Sequence, residues 1–227
     1  MPNVKEEQNL DINETIGKAE SYVQENKKSL SVIGVGVLVI IAGYFVYTNM
    51  IVAPQEKDAE KDMFMAEQFF AQDSFKLALN GDKNKITGFL DIIDNYGSSN
   101  SANLAKYYAG ICYLKTGDNE NAIKYLSDYD AEDDVTGALA FGGIGDANLE
   151  LGKKDEALKF YKKAMDWDKN QFTVCIYSMK AAMVYELNGD YQSAVDLYEK
   201  IKKDYPNSTE AREVDRFIAR DKAMVSK

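Results

Sequence analysis

Histidine is absent from all 227 residues. That removes the usual general base near neutral pH, the commonest metal ligand and every Ser-His or Cys-His arrangement, so most hydrolase mechanisms are excluded. Basic residues are also in deficit, 27 Lys and Arg against 37 Asp and Glu. Such a surface repels phosphate backbones and anionic lipid, which argues against nucleic-acid binding. Charge of either sign is missing between Lys28 and Glu56. A soluble core helix rarely runs that far without one.

The uncharged stretch, residues 30–53, reads LSVIGVGVLVIIAGYFVYTNMIVA. About 20 apolar residues are enough for a helix to cross roughly 30 Å of hydrocarbon, so a single transmembrane helix is expected here. About thirty residues precede it, and its exit, YTNMI at 47–51, offers no small-x-small pair for a signal peptidase. The anchor is therefore expected to stay. Lys18, Lys27 and Lys28 precede the span, Lys57 and Lys61 follow it, and Pro54, Gln55 and Glu56 open the far flank. The bias puts the N-terminus in the cytoplasm and the remainder across the membrane, which in a bacterium means the inner membrane and the periplasm. Three regions follow: a cytoplasmic segment 1–29, the span 30–53 and an exported domain 54–227, which carries a net charge of −8 beyond residue 29. Within the first, Ile12, Ile16, Ala19 and Val23 recur at helical spacing behind possible caps at Asp11 or Asn13. The acids Glu14, Glu20 and Glu25 make this short amphipathic helix a poor match to a lipid-binding one, leaving docking on a cytoplasmic partner or a plain tail.

Beyond the span, the chain aligns with itself on Gly81, Gly117, Gly152 and Gly189, spaced 36, 35 and 37 residues apart. Each begins a polar turn, LNGD, KTGD, ELGK or LNGD, where glycine can end a helix in the left-handed conformation. Ile86, Ala122, Ala157 and Ala194 stand five residues later, and Ser74, Gly110, Gly145 and Ala182 seven earlier. Small residues there let paired helices approach closely. Leu77, Tyr113, Asn148 and Tyr185 precede each glycine by four, and Leu90, Leu126, Tyr161 and Tyr198 follow by nine. The pattern resembles the tetratricopeptide repeat across about residues 60–206. It is clearest in AAMVYELNGDYQSAVDLYEKIKKDYP, which carries Ala182, Tyr185, Gly189, Ala194, Tyr198 and the closing Pro206.

The family's aromatic near the start of the first helix is Phe70 and Phe141 in units one and three but Lys106 and Ser178 in two and four. Ser98, Asp134 and Lys169 replace the proline at the ends of the earlier units, and the first unit is degenerate. Asn207 can cap a last helix from Ser208 to about Met224, with Val214, Phe217 and Ile218 covering the end of the stack. The expected fold is all-α: one transmembrane helix, then a solenoid of about four helix pairs and a capping helix.

In such a solenoid the first helices line a groove, here at Phe75, Tyr107, Ile111, Leu139, Asp146, Ile176, Met179 and Met183. Methionine and aromatic side chains suit varied apolar segments, though a register error of one residue would exchange groove for core. Cys112 and Cys175 fall on first helices two units apart, about 20 Å, too far for a disulfide, and buried thiols are expected. The acidic run Asp128, Asp130, Glu132, Asp133 and Asp134 lacks the spacing and central glycine of a calcium loop and reads as a solvated connection. FGGIGD at 141–146 follows no strand and is no phosphate loop; Gly145 fits close helix packing, and Gly142 and Gly143 suggest an irregular helix start. No catalytic residue, metal or cofactor is expected.

The N-in anchor, the short N-terminal helix, the acidic repeat domain and runs such as GFLDIIDNYGSSNSANLAKYYAGICYLKTGDNENAIKYL together resemble the YfgM-like family, ancillary subunits of the SecYEG translocon. The resemblance implies a role without a reaction. It implies association with the SecYEG channel and with a periplasmic chaperone of the PpiD type, and contact with unfolded exported polypeptide. An envelope scaffold for cell division or outer-membrane assembly would use the same parts.

Overall fold

The computed structural model describes residues 16–18, 20–82, 86–131, 133–167 and 169–226. Asp11, Ile12, Asn13, Glu14 and Ala19 of the expected N-terminal helix, and Glu132 of the acidic run, lie outside the described residues. The chain divides into two compact units, Met1–Pro54 and Gln55–Lys227.

In the first unit, residues 20–25 are helical, α1 spans Lys27–Tyr47, and a π-helical stretch covers Thr48–Val52. Thr48 Oγ1 and Asn49 Nδ2 both donate to the Phe45 carbonyl, at 3.1 and 2.9 Å, where the helical register changes. Val32, Ile33, Val39, Ile40 and Phe45 are all well over half exposed, and nothing in α1 is buried. A helix apolar all round cannot be stable in water unless something else covers it. Among the described residues it is the one stretch long and apolar enough to cross a membrane.

The second unit contains only helices and turns among its described residues, apart from one isolated bridge between Asp82 and Ile86. The helices are α2 (Ala53–Ala71), α3 (Phe75–Asn80), α4 (Phe89–Asn95), α5 (Asn100–Thr116), α6 (Asn119–Ser127), α7 (Asp134–Glu150), α8 (Lys154–Trp167), α9 (Gln171–Leu187), α10 (Tyr191–Asp204) and α11 (Thr209–Val225). Consecutive helices pair, α5 with α6, α7 with α8 and α9 with α10, and first helices also touch those of the next pair. This is the helical solenoid expected from the repeats.

The turn chemistry explains the pairing. At Gly117, φ is 84°, the Gly117 amide donates to Leu114 at 3.2 Å and the Asp118 amide to Tyr113 at 2.9 Å, closing α5 in the manner only a left-handed residue allows. Asp118 then accepts from the Asn121 amide and starts α6 at once; Asp190 does the same for α10 through Ser193. A Gly-Asp pair thus ends one helix and begins its partner.

α7 corrects one expectation. It runs unbroken through FGGIGD, so Gly142 and Gly143 do not make an irregular start. They are sites of close approach: a β-carbon on Gly142 would meet the Tyr177 ring at 2.0 Å and one on Gly143 the Leu126 side chain at 2.8 Å, as one on Gly145 would meet the Tyr161 ring at 2.5 Å. Tyr161 and Tyr198 are in turn fully buried, each contributing on the order of 1.5–3 kcal/mol of apolar transfer.

The first unit of the solenoid departs furthest from the expectation. Gly81 ends a helix of only six residues, and Ile86 sits in the isolated bridge, two residues ahead of Gly88, the cap of α4. The long first helix is α2, which buries Ala59, Met63 and Ala66 at helical spacing. At the other end the capping residue is Ser208, whose hydroxyl accepts from the Ala211 amide at 3.0 Å, and Asn207 is exposed. Val214, Phe217 and Ile218 do cover the last core. Cys112 and Cys175 are free and buried, and burial pushes the Cys112 thiol up to about 12, leaving it inert.

Candidate functional site

Phe172, Ile176, Met179, Met183 and Leu187 follow one another along α9 in steps of four, three, four and four, which keeps them on one helix face. Ile176 and Met179 are half-buried against the cores on either side. Phe172, Met183 and Leu187 are 62, 54 and 58% exposed. Single exposed apolar residues are ordinary; three along one face of a helix form an exposed apolar patch.

Two polar clamps flank this face. The Tyr161 hydroxyl on α8 donates to Asp146 of α7 at 2.7 Å, and Lys180 of α9 reaches both oxygens of that carboxylate at 2.6 Å. One unit on, the Tyr198 hydroxyl on α10 donates to Glu186 of α9 at 2.6 Å, and Arg220 of α11 pairs with Glu186 at 2.6 Å. Burial, and then the facing carboxylate, hold both phenols far above their usual range, so they remain donors. In each clamp a tyrosine on the second helix orients an acid on the first, and that acid takes a cation from the next helix along the stack. Exposed pairs are weak energetically, but directional contacts of this kind fix the angle between α7, α9 and α11.

The eight residues expected to line a groove are placed unevenly. Phe75 starts α3 and meets Phe70 edge-on at 5.6 Å, within the packing of the first unit. Tyr107 lies against Tyr108 and Tyr129, and burial pushes its phenol up to about 12. Ile111 packs on the cluster of Leu126, Ala140 and Ile144, and Leu139 on the core between α7 and α9. Asp146 is the clamp acid. Ile176, Met179 and Met183 share the α9 face. Phe172, Leu187 and Lys180 were missed, although the first two simply extend the same periodicity at either end.

The acidic connection is also ordered at its end. Asp133 accepts from the Val135 and Thr136 amides at 2.9 and 2.8 Å and from the Thr136 hydroxyl, capping α7. Among the described residues no group of His, Cys, Asp or Glu could hold a metal ion.

Known proteins place this architecture in a class. Tetratricopeptide repeat family models match residues 104–131 and 178–208, and a further one matches residues 138–171. The chain therefore carries tetratricopeptide repeats, modules that act as protein–protein interaction scaffolds and are typically non-catalytic; no catalytic family is indicated.

Among individual relatives, TPR repeat-containing protein MJ1428 of Methanocaldococcus jannaschii is 29% identical over 101 residues, 44% of this chain. The match spans only 17% of that relative's length. Among solved structures, the MamA protein is similar with a TM-score of 0.57 at 17% identity, covering 74% of this chain and 82% of that one. A putative kinesin light chain from Podospora anserina with nearly identical TPR-like repeats gives 0.56 at 12% identity, over 75% and 88%. At such identities the likeness shows the fold alone.

Proposed function

We propose that this chain is a non-catalytic accessory subunit of a SecYEG-type translocon, anchored by one helix over residues 30–53. The N-terminus is cytoplasmic, and the repeat domain that follows residue 53 stands in the periplasm. There it binds a membrane-bound chaperone of the PpiD type and emerging unfolded chains. The observation that carries the reading is the exposed apolar face of α9, with Phe172, Met183 and Leu187 projecting from an otherwise acidic domain. Methionine and aromatic side chains adapt to varied apolar partners. Tethering beside a channel exit raises the effective concentration of the face, so weak contacts suffice. The YfgM-like resemblance of the chain supports the choice of channel, and the scaffold character of the repeats supports the mode of action.

A mild-detergent pull-down of the tagged full-length protein, with and without its first 29 residues, tests this. Co-purification of SecY-type subunits and a periplasmic chaperone is the expected result. Recovery of division or outer-membrane assembly factors alone would transfer the protein to the envelope-scaffold class. Orientation is checked separately: because both native cysteines are buried, a Ser226→Cys variant should be labelled by a membrane-impermeant reagent from the periplasmic side.

A further inference from the structure

On α11 the inward-facing residues recur every three or four positions, Ala211, Val214, Phe217 and Ile218, and the next in the series is Asp221. Asp221 is fully buried, so a carboxylate occupies the place of a core residue. The apolar row resumes at Met224 and Val225, but these are 40 and 47% exposed. Apolar packing of the helix therefore stops at the charge.

Asp221 is only half satisfied. Its Oδ1 accepts from Arg220 Nε at 2.7 Å, while its buried Oδ2 has no hydrogen-bond partner among the described residues. Arg220 also pairs with Glu186 of α9 at 2.6 Å, so one guanidinium serves two acids. A buried polar atom left unpaired costs free energy that opening to water returns. The further ties of α11 to α10, Lys222 with Glu199 at 2.6 Å and Lys202 with Asp215 at 2.5 Å, join exposed side chains and hold weakly.

We propose that the second half of α11, residues 217–225, is a lid on the end of the solenoid that opens as a unit while α9 and α10 stay folded. Elements that open ahead of the whole are those whose contacts are unsatisfied or exposed, and this segment has both kinds. Closed, Phe217 stacks on Tyr198 with ring centroids 5.4 Å apart. Opening bares that ring and frees Glu186, the neighbour of Leu187. The lid does not depend on the translocon assignment; its consequence for the α9 face rests on the partner-binding role given to that face.

Hydrogen exchange read by mass spectrometry on the full-length protein in detergent separates this lid from ordinary fraying, which would not respond to Asp221. In the wild type, peptides covering 217–225 should exchange at least tenfold faster than those covering 191–204 of α10. Asp221→Leu removes the orphan oxygen and continues the apolar row, and should slow exchange of 217–225 about tenfold while leaving α5 to α8 unchanged. Arg220→Gln leaves both acids without their cation and should speed it. Asp221→Asn should shift exchange in the same direction as Leu, and it decides the case if the Leu variant loses its helical circular dichroism. Protection of 217–225 equal to that of α10 in the wild type, a slowing shared by every helix, or unchanged or faster exchange of 217–225 in the deciding Asp221 variant would each overturn the proposal.

Discussion

The junctions on either side of α7 are built on different principles. Between units three and four, and between unit four and the capping helix, a tyrosine nine residues after the turn glycine anchors an acid that pairs with a cation on the next helix. Between units two and three the corresponding residue is Leu126. It has no hydroxyl to donate and presses instead on glycine backbone, with its side chain 2.5 Å from where a β-carbon of Gly110 would be and 2.8 Å from that of Gly143. At this position one kind of junction is specified by directional hydrogen bonds and charge, the other by shape, beside a hydrogen bond between Tyr129 and Thr136 of α7. Where Leu126 packs between glycines, α6 is short and a cavity lined by Phe141, Phe160 and Trp167 opens; where clamps hold, the α9 face is presented on a fixed helix. The same repeat therefore yields two unlike surfaces.

Breaking the shape-based junction should have the largest effect. Leu126→Ala removes a buried side chain facing glycines that cannot fill the space, and should cost about 3 kcal/mol in denaturant unfolding of the full chain. A loss well under 1 kcal/mol would mean that packing is not what joins units two and three. On the clamped side, Met183→Glu with Leu187→Glu should weaken partner binding at least tenfold, about 1.4 kcal/mol, with helicity intact. Unchanged binding would remove this face from the account.

Smaller effects sharpen the contrast. Tyr198→Phe deletes one hydrogen bond to Glu186 and should cost about 1 kcal/mol, and Tyr161→Phe about the same. Each should show coupling to loss of its cation partner, Arg220 or Lys180, in a double-mutant cycle. Purely additive losses would reduce the clamps to independent contacts.

The weakest dependence is on pH. The Ser193 hydroxyl and amide hold the Asp190 carboxyl below its usual value, and the Thr136 hydroxyl and amide do the same for Asp133. Both folded values are depressed relative to about 3.9 in the unfolded chain, so their contribution is complete above about pH 4 and is lost as pH falls through the folded values. Stability should be flat from about pH 7 to 5 and decline below about 4, and Asp190→Asn with Asp133→Asn should reduce that decline. A loss already under way near pH 6 in a chain without histidine would contradict this reading.

The glycine alignment made the last three units legible, because a left-handed residue ends each first helix and small and large groups recur around it. It misplaced the first unit for a physical reason. Gly81 also has a positive φ, 67°, but follows six helical residues, while α2 has no glycine to announce its end. Tyr161 and Tyr198 were recognisable as packing residues. Their hydroxyl partners were not, since Asp146 and Glu186 lie 15 and 12 residues away and the cation Lys180 a further 34 from Asp146. The cavity beside Trp167 left no positive sign in the sequence: it arises from the turns that α6 lacks. On α9, Met179 and Met183 stood out by type, and Phe172 and Leu187 would have followed from carrying their spacing outward.

The central claim is that the α9 face meets protein partners. The most direct test is site-specific photo-crosslinking in living cells, with a benzophenone amino acid placed at Met183 or Leu187 and, for comparison, at exposed Lys159 on α8 and Glu199 on α10. Discrete partner adducts at the two α9 positions, and none at the other two, are predicted. Adducts confined to Lys159 and Glu199, or none at any position, would contradict it.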